Sequence, residues 1–240
     1  MDYRATTVLR IVTIVLIVAI AGLGVLLVQY LVSNAGTATP RSEVERAVAA
    51  AEEAVRANPE SAPARIKLAA AYLESNANSA AREQATIAIR LAPKDPAGPY
   101  ILGLIESRSG NDEAAIKQLT KAAETDGQLA GFYQDVWRSL AAAHERSGDT
   151  SEAIGAMNEA LNYGPENAEL LTNRGRLYEK EEKWTDALYD FVMAAQFVPD
   201  YKLAVESARR VANEHPEAVK KMQKKFEASP PKSMLSTTTP

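Results

Sequence analysis

His144 and His215 are the side chains of this sequence best suited to proton transfer or metal binding, because an imidazole changes charge near neutral pH. They stand far apart, and no His-Glu-x-x-His, Gly-x-Ser-x-Gly, phosphate-binding loop or glycine-rich dinucleotide turn accompanies them. Adjacent carboxylates occur at Glu52-Glu53 and Glu181-Glu182. Acid–base chemistry needs both groups at one bond, and neighbours on a helix diverge around its axis, so these pairs read as solvated faces. Cysteine is absent, which excludes disulfides, thiolate nucleophiles, iron–sulfur clusters and Cys-ligated zinc. The expectation is a protein that is not an enzyme, with no catalytic residue, no metal ligand and no cofactor. A net charge of −4 offers no global basic field for nucleic acid. The run Lys220-Lys221-Met222-Gln223-Lys224-Lys225-Phe226 has two readings. It is either the solvated, dipole-favoured end of a terminal helix or a contact for anionic lipid or an acidic partner.

The elements that carry these residues begin with residues 11–32, IVTIVLIVAIAGLGVLLVQYLV, which hold no charge. A helix of that length rises about 33 Å and crosses a hydrocarbon core of about 30 Å. The segment reads as an uncleaved transmembrane anchor; a cleaved signal peptide, with Ser33-Asn34-Ala35 as its small-residue site, is the rival. Arg4 and Arg10 precede the span, and Glu43 and Glu45 accompany the first positive charges after it, Arg41 and Arg46. The positive-inside rule then places a short tail, residues 1–10, in the cytoplasm and the remainder outside the cell membrane, as a single-pass protein. Residues 33–41 form a polar linker.

Beyond the linker, Ala-rich stretches run into Pro59, Pro93, Gly127, Pro165 and Pro199, at steps of 34, 34, 38 and 34 residues. Small residues keep the same register at Ala81, Ala115, Ala153 and Ala187, and again at Ala88, Ala122, Ala160 and Ala194. A 34-residue period of paired helices marks a stacked helical array. Ser109-Gly110-Asn111-Asp112 and Ser147-Gly148-Asp149 read as turns that stop one helix and start the next, and Asp149 with Glu152 has capping-box spacing.

Over Ala62 to Tyr201 the chain resembles the tetratricopeptide-repeat family, whose pattern is W-x2-L-G-x2-Y, A-x3-F, P. Repeat 1 (62–95) supplies Leu68-Ala69, Tyr72, Ala81, Ala85, Ala88 and Pro93. Repeat 2 (96–129) supplies Leu102-Gly103, Ala115, Leu119 and Ala122, with Glu106 in place of the Tyr. Repeat 3 (134–167) has Trp137, Leu140-Ala141, Ala153, Met157, Ala160 and Pro165, with His144 at the Tyr position. Repeat 4 (168–201) has Leu171, Gly175, Tyr178, Ala187, Phe191, Ala194 and Pro199, with Arg174 where Leu is expected. Residues 42–61 fit an N-terminal capping half-repeat and 202–228 a pair of C-terminal capping helices, leaving 229–240 as a disordered tail. Four extra residues fall near Gln128–Tyr133, where Phe132, Tyr133 and Trp137 either fill a widened joint or contact a partner.

The resemblance implies an all-α fold, a right-handed superhelical solenoid of helical hairpins behind one transmembrane helix. It also implies a groove lined by the first helix of each repeat, which takes a peptide or partner protein. Carried onto this sequence, the groove exposes Ile66, Ala70, Tyr100 and Leu104, then Arg138, Ala142, Thr172, Asn173 and Arg176. An apolar half is followed by a polar, basic half, suited to a partner with an apolar segment beside an acidic or carboxyl-terminal one. The set that grips a carboxylate tail in chaperone-binding members is incomplete, since Ala142 replaces an expected Asn. By architecture alone the chain is similar to bacterial anchored repeat proteins that act beside the translocon or in cytochrome c biogenesis. The expected role is a membrane-anchored scaffold for protein–protein interaction, an assembly factor or chaperone. A constitutive subunit of a larger membrane or envelope complex, or a docking adaptor facing the cytosol, remains open.

Overall fold

The computed structural model describes residues 22–30, 42–125 and 130–228, and all of their regular structure is α-helical. The chain packs as two units, Met1–Ala49 and Ala50–Pro240. Residues 22–30 form α1. Then follow α2 (Glu43–Ala57), α3 (Ala62–Glu74), α4 (Asn78–Leu91), α5 (Ala97–Arg108), α6 (Asp112–Ala123) and α7 (Ala130–Ser147). The last five are α8 (Thr150–Tyr163), α9 (Ala168–Lys180), α10 (Trp184–Phe197), α11 (Lys202–Glu214) and α12 (Pro216–Ala228). Among the described residues no helix is long and apolar enough to cross a membrane. Most of the expected span, residues 11–21, 31 and 32, lies outside the described residues, as do all of the linker 33–41 and the tail 229–240.

Consecutive helices pair as hairpins, α3 with α4, α5 with α6, α7 with α8 and α9 with α10. Each hairpin turn is closed by the same backbone bond. The N–H groups of Ala77, Asn111, Asp149 and Lys183 donate to the carbonyls of Tyr72, Glu106, His144 and Tyr178, at 2.8–3.0 Å. That six-residue closure forces a left-handed residue into the turn. It is Asn76 (φ 60°), Gly110 (φ 77°), Gly148 (φ 91°) and Glu182 (φ 54°) in successive repeats. Glycine adopts this conformation without strain, Asn tolerates it, and Glu182 is held there by the closure it serves.

The N-terminal caps depart from expectation. Asp149 makes no side-chain bond to the first turn of α8. It accepts instead from the Ser147 hydroxyl at 2.8 Å, which removes it from the capping box with Glu152. A reciprocal box forms instead at the start of α2, where the Ser42 Oγ accepts from the Glu45 N–H and the Glu45 carboxylate accepts from the Ser42 N–H. Ser61 and Asn167 cap α3 and α9 through their side-chain oxygens.

Close packing inside each hairpin rests on paired volumes. Ala69 lies beside the crossing with Ala85, Gly103 meets Leu119, Ala141 is matched with Met157 and Gly175 meets Phe191; the non-glycine members are at most 4% exposed. A Cβ on Gly103 would stand 2.6 Å from Leu119 Cγ, and one on Gly175 would stand 2.6 Å from Phe191 Cε1. Glycine therefore appears where the facing helix carries a large, stiff side chain, and alanine where it carries a small or flexible one.

Two of the departures from the repeat pattern, Glu106 and Arg174, are compensated by charge. Glu106, 5% exposed, takes the aromatic position of repeat 2 and is held by the Arg82 guanidinium and by Asn111 Nδ2 at 3.0 Å. Arg174 takes the Leu position of repeat 4. Its guanidinium forks onto Asp190 at 2.7 and 2.6 Å, donates to Asn158 at 2.8 Å and lies over the Tyr178 ring. At the widened joint, the extra length is absorbed by α7, an 18-residue helix. Tyr133 is buried there and stacks on Tyr163, and Phe132 sets its edge between Tyr133 and Tyr100. These contacts make the aromatics joint fillers, and residues 126–129 lie outside the description.

Candidate functional site

The first helix of each hairpin follows the previous first helix along the array, with α3 against α5, α5 against α7 and α9 against α11. Their carboxyl ends are tied by charges that cross from each repeat to the one before. Arg108 reaches the Leu73 carbonyl and Glu74; Arg146 reaches Asp112 at 2.8 Å and the Ser107 hydroxyl. Lys180 meets Glu145 at 2.5 Å, and Arg210 meets Glu179 at 2.6 Å. Cations at these helix ends also complement the exposed carbonyls of the last turns. The sequence reading missed this ladder, although Arg108, Arg146 and Lys180 share one register, one turn beyond the groove residues.

On this framework Ile66, Ala70, Tyr100 and Leu104 are all half-buried. They pack together over a buried cluster of Ala69, Leu73, Ala81, Ala85, Ile101 and Ile105. Burial pushes the Tyr100 phenol above its ordinary range, and Asp135 adds to the rise while Ser139 and Arg138 oppose it. The front of the face is thus an apolar strip carrying one phenol.

Farther along, Leu104, Arg138, Ala142 and Asn173 line a single recess of about 310 Å³. Ser107, Ser139, Glu145 and Met157 complete it. Four of the nine expected groove residues, drawn from three successive first helices, therefore share one site. The polar members that the sequence reading omitted were findable, because Ser107 and Glu145 lie one helical turn beyond Leu104 and Ala142. Two of the acids are engaged: Asp135 with Arg138 at 3.1 Å, and Glu145 with Lys180. Arg176 is exposed, one turn from Asn173, and does not line the recess.

Thr172 is a correction. It was expected to be exposed in the groove, yet it is fully buried and its hydroxyl donates to the Ala168 carbonyl at 2.7 Å. α9 is rotated so that Thr172 and Leu171 face inward, and a threonine in a helix can satisfy its own hydroxyl on the preceding turn.

The groups considered for chemistry do not converge. His144 is half-buried with Nδ1 3.8 Å from Asp149. His215 stacks on Trp184, centroids 3.8 Å apart. Glu52 accepts from the Tyr72 hydroxyl at 2.7 Å, whereas Glu53 turns to Arg56. Among the described residues no three His, Asp or Glu side chains could hold a metal ion.

Comparison with solved structures places the same fold in several proteins. PilF of Pseudomonas aeruginosa superposes with a TM-score of 0.64 at 17% identity, over 81% of this chain and 87% of that one. YrrB, described as a TPR protein with an unusual peptide-binding site, gives 0.55 at 21% identity, over 70% and 84%. MamA gives 0.55 at 21% identity, over 65% and 82%. At these identities the likeness is one of fold. No curated protein sequence matches the chain significantly. The tetratricopeptide-repeat profile matches residues 41–96, 67–131 and 138–202, well over half of the sequence. With that match, the recurring turn closures and the small-residue crossings of each hairpin, the chain belongs to the tetratricopeptide-repeat family.

Proposed function

We propose that this protein is a membrane-anchored scaffold that captures a peptide or partner protein along the face formed by its first helices. The observation that carries the binding role is the junction of an apolar strip, Ile66, Ala70, Tyr100 and Leu104, with a polar recess at Arg138, Ala142 and Asn173. An apolar segment of the partner would cover the strip, and an adjacent acidic side chain or terminal carboxylate would meet Arg138 and, beyond the recess, Arg176. The YrrB description supports a peptide as the class of ligand for this fold.

Anchoring rests on residues 11–32. The described part of that segment is helical, and Leu23, Val25, Leu26, Leu27, Val28 and Tyr30 are each 59–67% exposed. So continuous an apolar surface is at home in lipid. In this reading the N-terminus is cytoplasmic and the repeats lie outside the cell membrane. Tethering raises the local concentration of scaffold at the bilayer, so a modest groove affinity suffices.

The test is photo-crosslinking from position 100 in intact cells, repeated with Arg138→Glu and Arg176→Glu together. Loss of the captured protein on charge reversal supports the reading; unchanged capture refutes it. Protease accessibility in spheroplasts tests the orientation independently.

A further inference from the structure

Charge is unevenly distributed along this chain. The last hairpin, residues 202–228, carries seven Lys or Arg against four Glu, a net +3 in a chain whose total is −4. The remainder therefore stands at −7. Ala218 and Met222 are buried in a cluster with Leu188, Phe191 and Val211, and Val219 packs against it. Lys220, Lys221 and Lys224 are exposed on the opposite arc.

These lysines differ from the cations of the ladder. Arg108, Arg146, Lys180 and Arg210 are each engaged by the preceding repeat. Among the described side chains Lys220 pairs with Glu217, one turn away on the same helix, at 3.1 Å. Lys221 and Lys224 take part in no ion pair among the side chains that the structure describes. On α11, Lys202 and Arg209 are likewise exposed. Among the described side chains, the exposed ones from Glu217 to Lys224 are Glu217, Lys220, Lys221, Gln223 and Lys224, none of them an aromatic or aliphatic anchor, and lysine is depleted from interface cores. Exposed lysines spread along one helix face suit a surface of diffuse negative charge, and of these Lys221 also borders a recess of about 440 Å³ with Glu182, Trp184, Glu214 and Glu217.

We propose that the outward face of α12 is a contact for anionic phospholipid head groups. The −7 of the remaining chain is repelled from such a surface, which confines the contact to this end. The inference rests on the anchor reading only for the nearness of a membrane; the charge arrangement stands without it.

The full chain, reconstituted in nanodiscs, is footprinted with a lysine-acylating reagent and read by mass spectrometry. On discs containing phosphatidylglycerol, acylation of Lys220, Lys221 and Lys224 slows at least about fivefold relative to phosphatidylcholine discs, since each lysine near an anionic leaflet contributes a factor of that order. The protection disappears at high salt. Lys67 and Lys94, exposed elsewhere in the array, react equally on both discs. Equal acylation of the α12 lysines on the two discs overturns the proposal. So does protection by soluble polyglutamate without protection by lipid, which would assign the face to an acidic protein. Retention on the discs at high salt reports the anchor separately. If the chain is not retained, sedimentation with phosphatidylglycerol vesicles decides the lipid contact. Wild type is expected to bind about 25-fold more tightly than the Lys221→Gln, Lys224→Gln double variant, and equal binding refutes it.

Discussion

Gly175→Ala should destabilise this protein in one background and stabilise it in another, because the added methyl meets Phe191. It would stand 2.6, 2.9 and 3.0 Å from three ring atoms, well inside ordinary contact. The ring cannot swing clear, since Phe191 is fully buried and boxed in by Ala187, Leu188, Val211 and Met222. Overpacking of this kind costs about 1–3 kcal/mol. Replacing glycine by alanine inside a helix returns about 1 kcal/mol, so the net loss in wild type is about 1 kcal/mol. With Phe191→Met the obstacle becomes flexible, as in the natural pair Ala141 and Met157, and the helical gain remains. The two backgrounds should then differ by a coupling of about 2 kcal/mol, with a change of sign. Urea unfolding of the four proteins, followed by circular dichroism and by the fluorescence of Trp184 at the start of α10, measures it. An effect of Gly175→Ala that is the same in both backgrounds, within about 0.5 kcal/mol, would refute the volume-pairing argument.

Two further outcomes follow from the buried polar contacts. Asp190→Ala strands the Arg174 guanidinium in a partly buried site and should cost about 3–5 kcal/mol in urea unfolding. Arg174→Leu with Asp190→Leu restores the apolar repeat pattern and should recover stability to within about 1 kcal/mol of wild type. The Glu52 carboxylate, bonded to the Tyr72 hydroxyl, pushes the phenol up to about 12, with burial assisting. The folded value lies above the unfolded one, so this stabilisation is complete below pH 10 and is lost as pH rises toward 12. Solvent screening of so exposed a pair limits it to about 1 kcal/mol. Tyr72→Phe should remove that alkaline decline, and ultraviolet titration of the phenols reads the shifted group directly.

The array was legible in sequence because its determinants are local and repeat every 34 residues. Ala81, Ala115, Ala153 and Ala187 are small because two helix axes cross there, and all four are fully buried. Gly110 and Gly148 mark turns that need a positive φ. Asn76 and Glu182 occupy the same conformation without announcing it, since the six-residue closure around them, and not their own preference, imposes it. The strip from Ile66 to Leu104 was placed on one face only by the family resemblance, which assigns the groove to the first helix of each repeat.

What the sequence by itself determined was therefore the family, the hairpins and the small-residue crossings, each set by spacing within one repeat. Only the tertiary structure decided that Glu106 and Arg174 are tolerated, because Arg82 and Asp190 reach them from neighbouring helices. It also decided that Thr172 turns inward while Arg138, Ala142 and Asn173 meet Leu104 in one recess. Those choices depend on how far each helix rotates against the next and on which side chains a facing repeat supplies. Such contacts join residues 16 to 39 positions apart, and no motif within one helix encodes them.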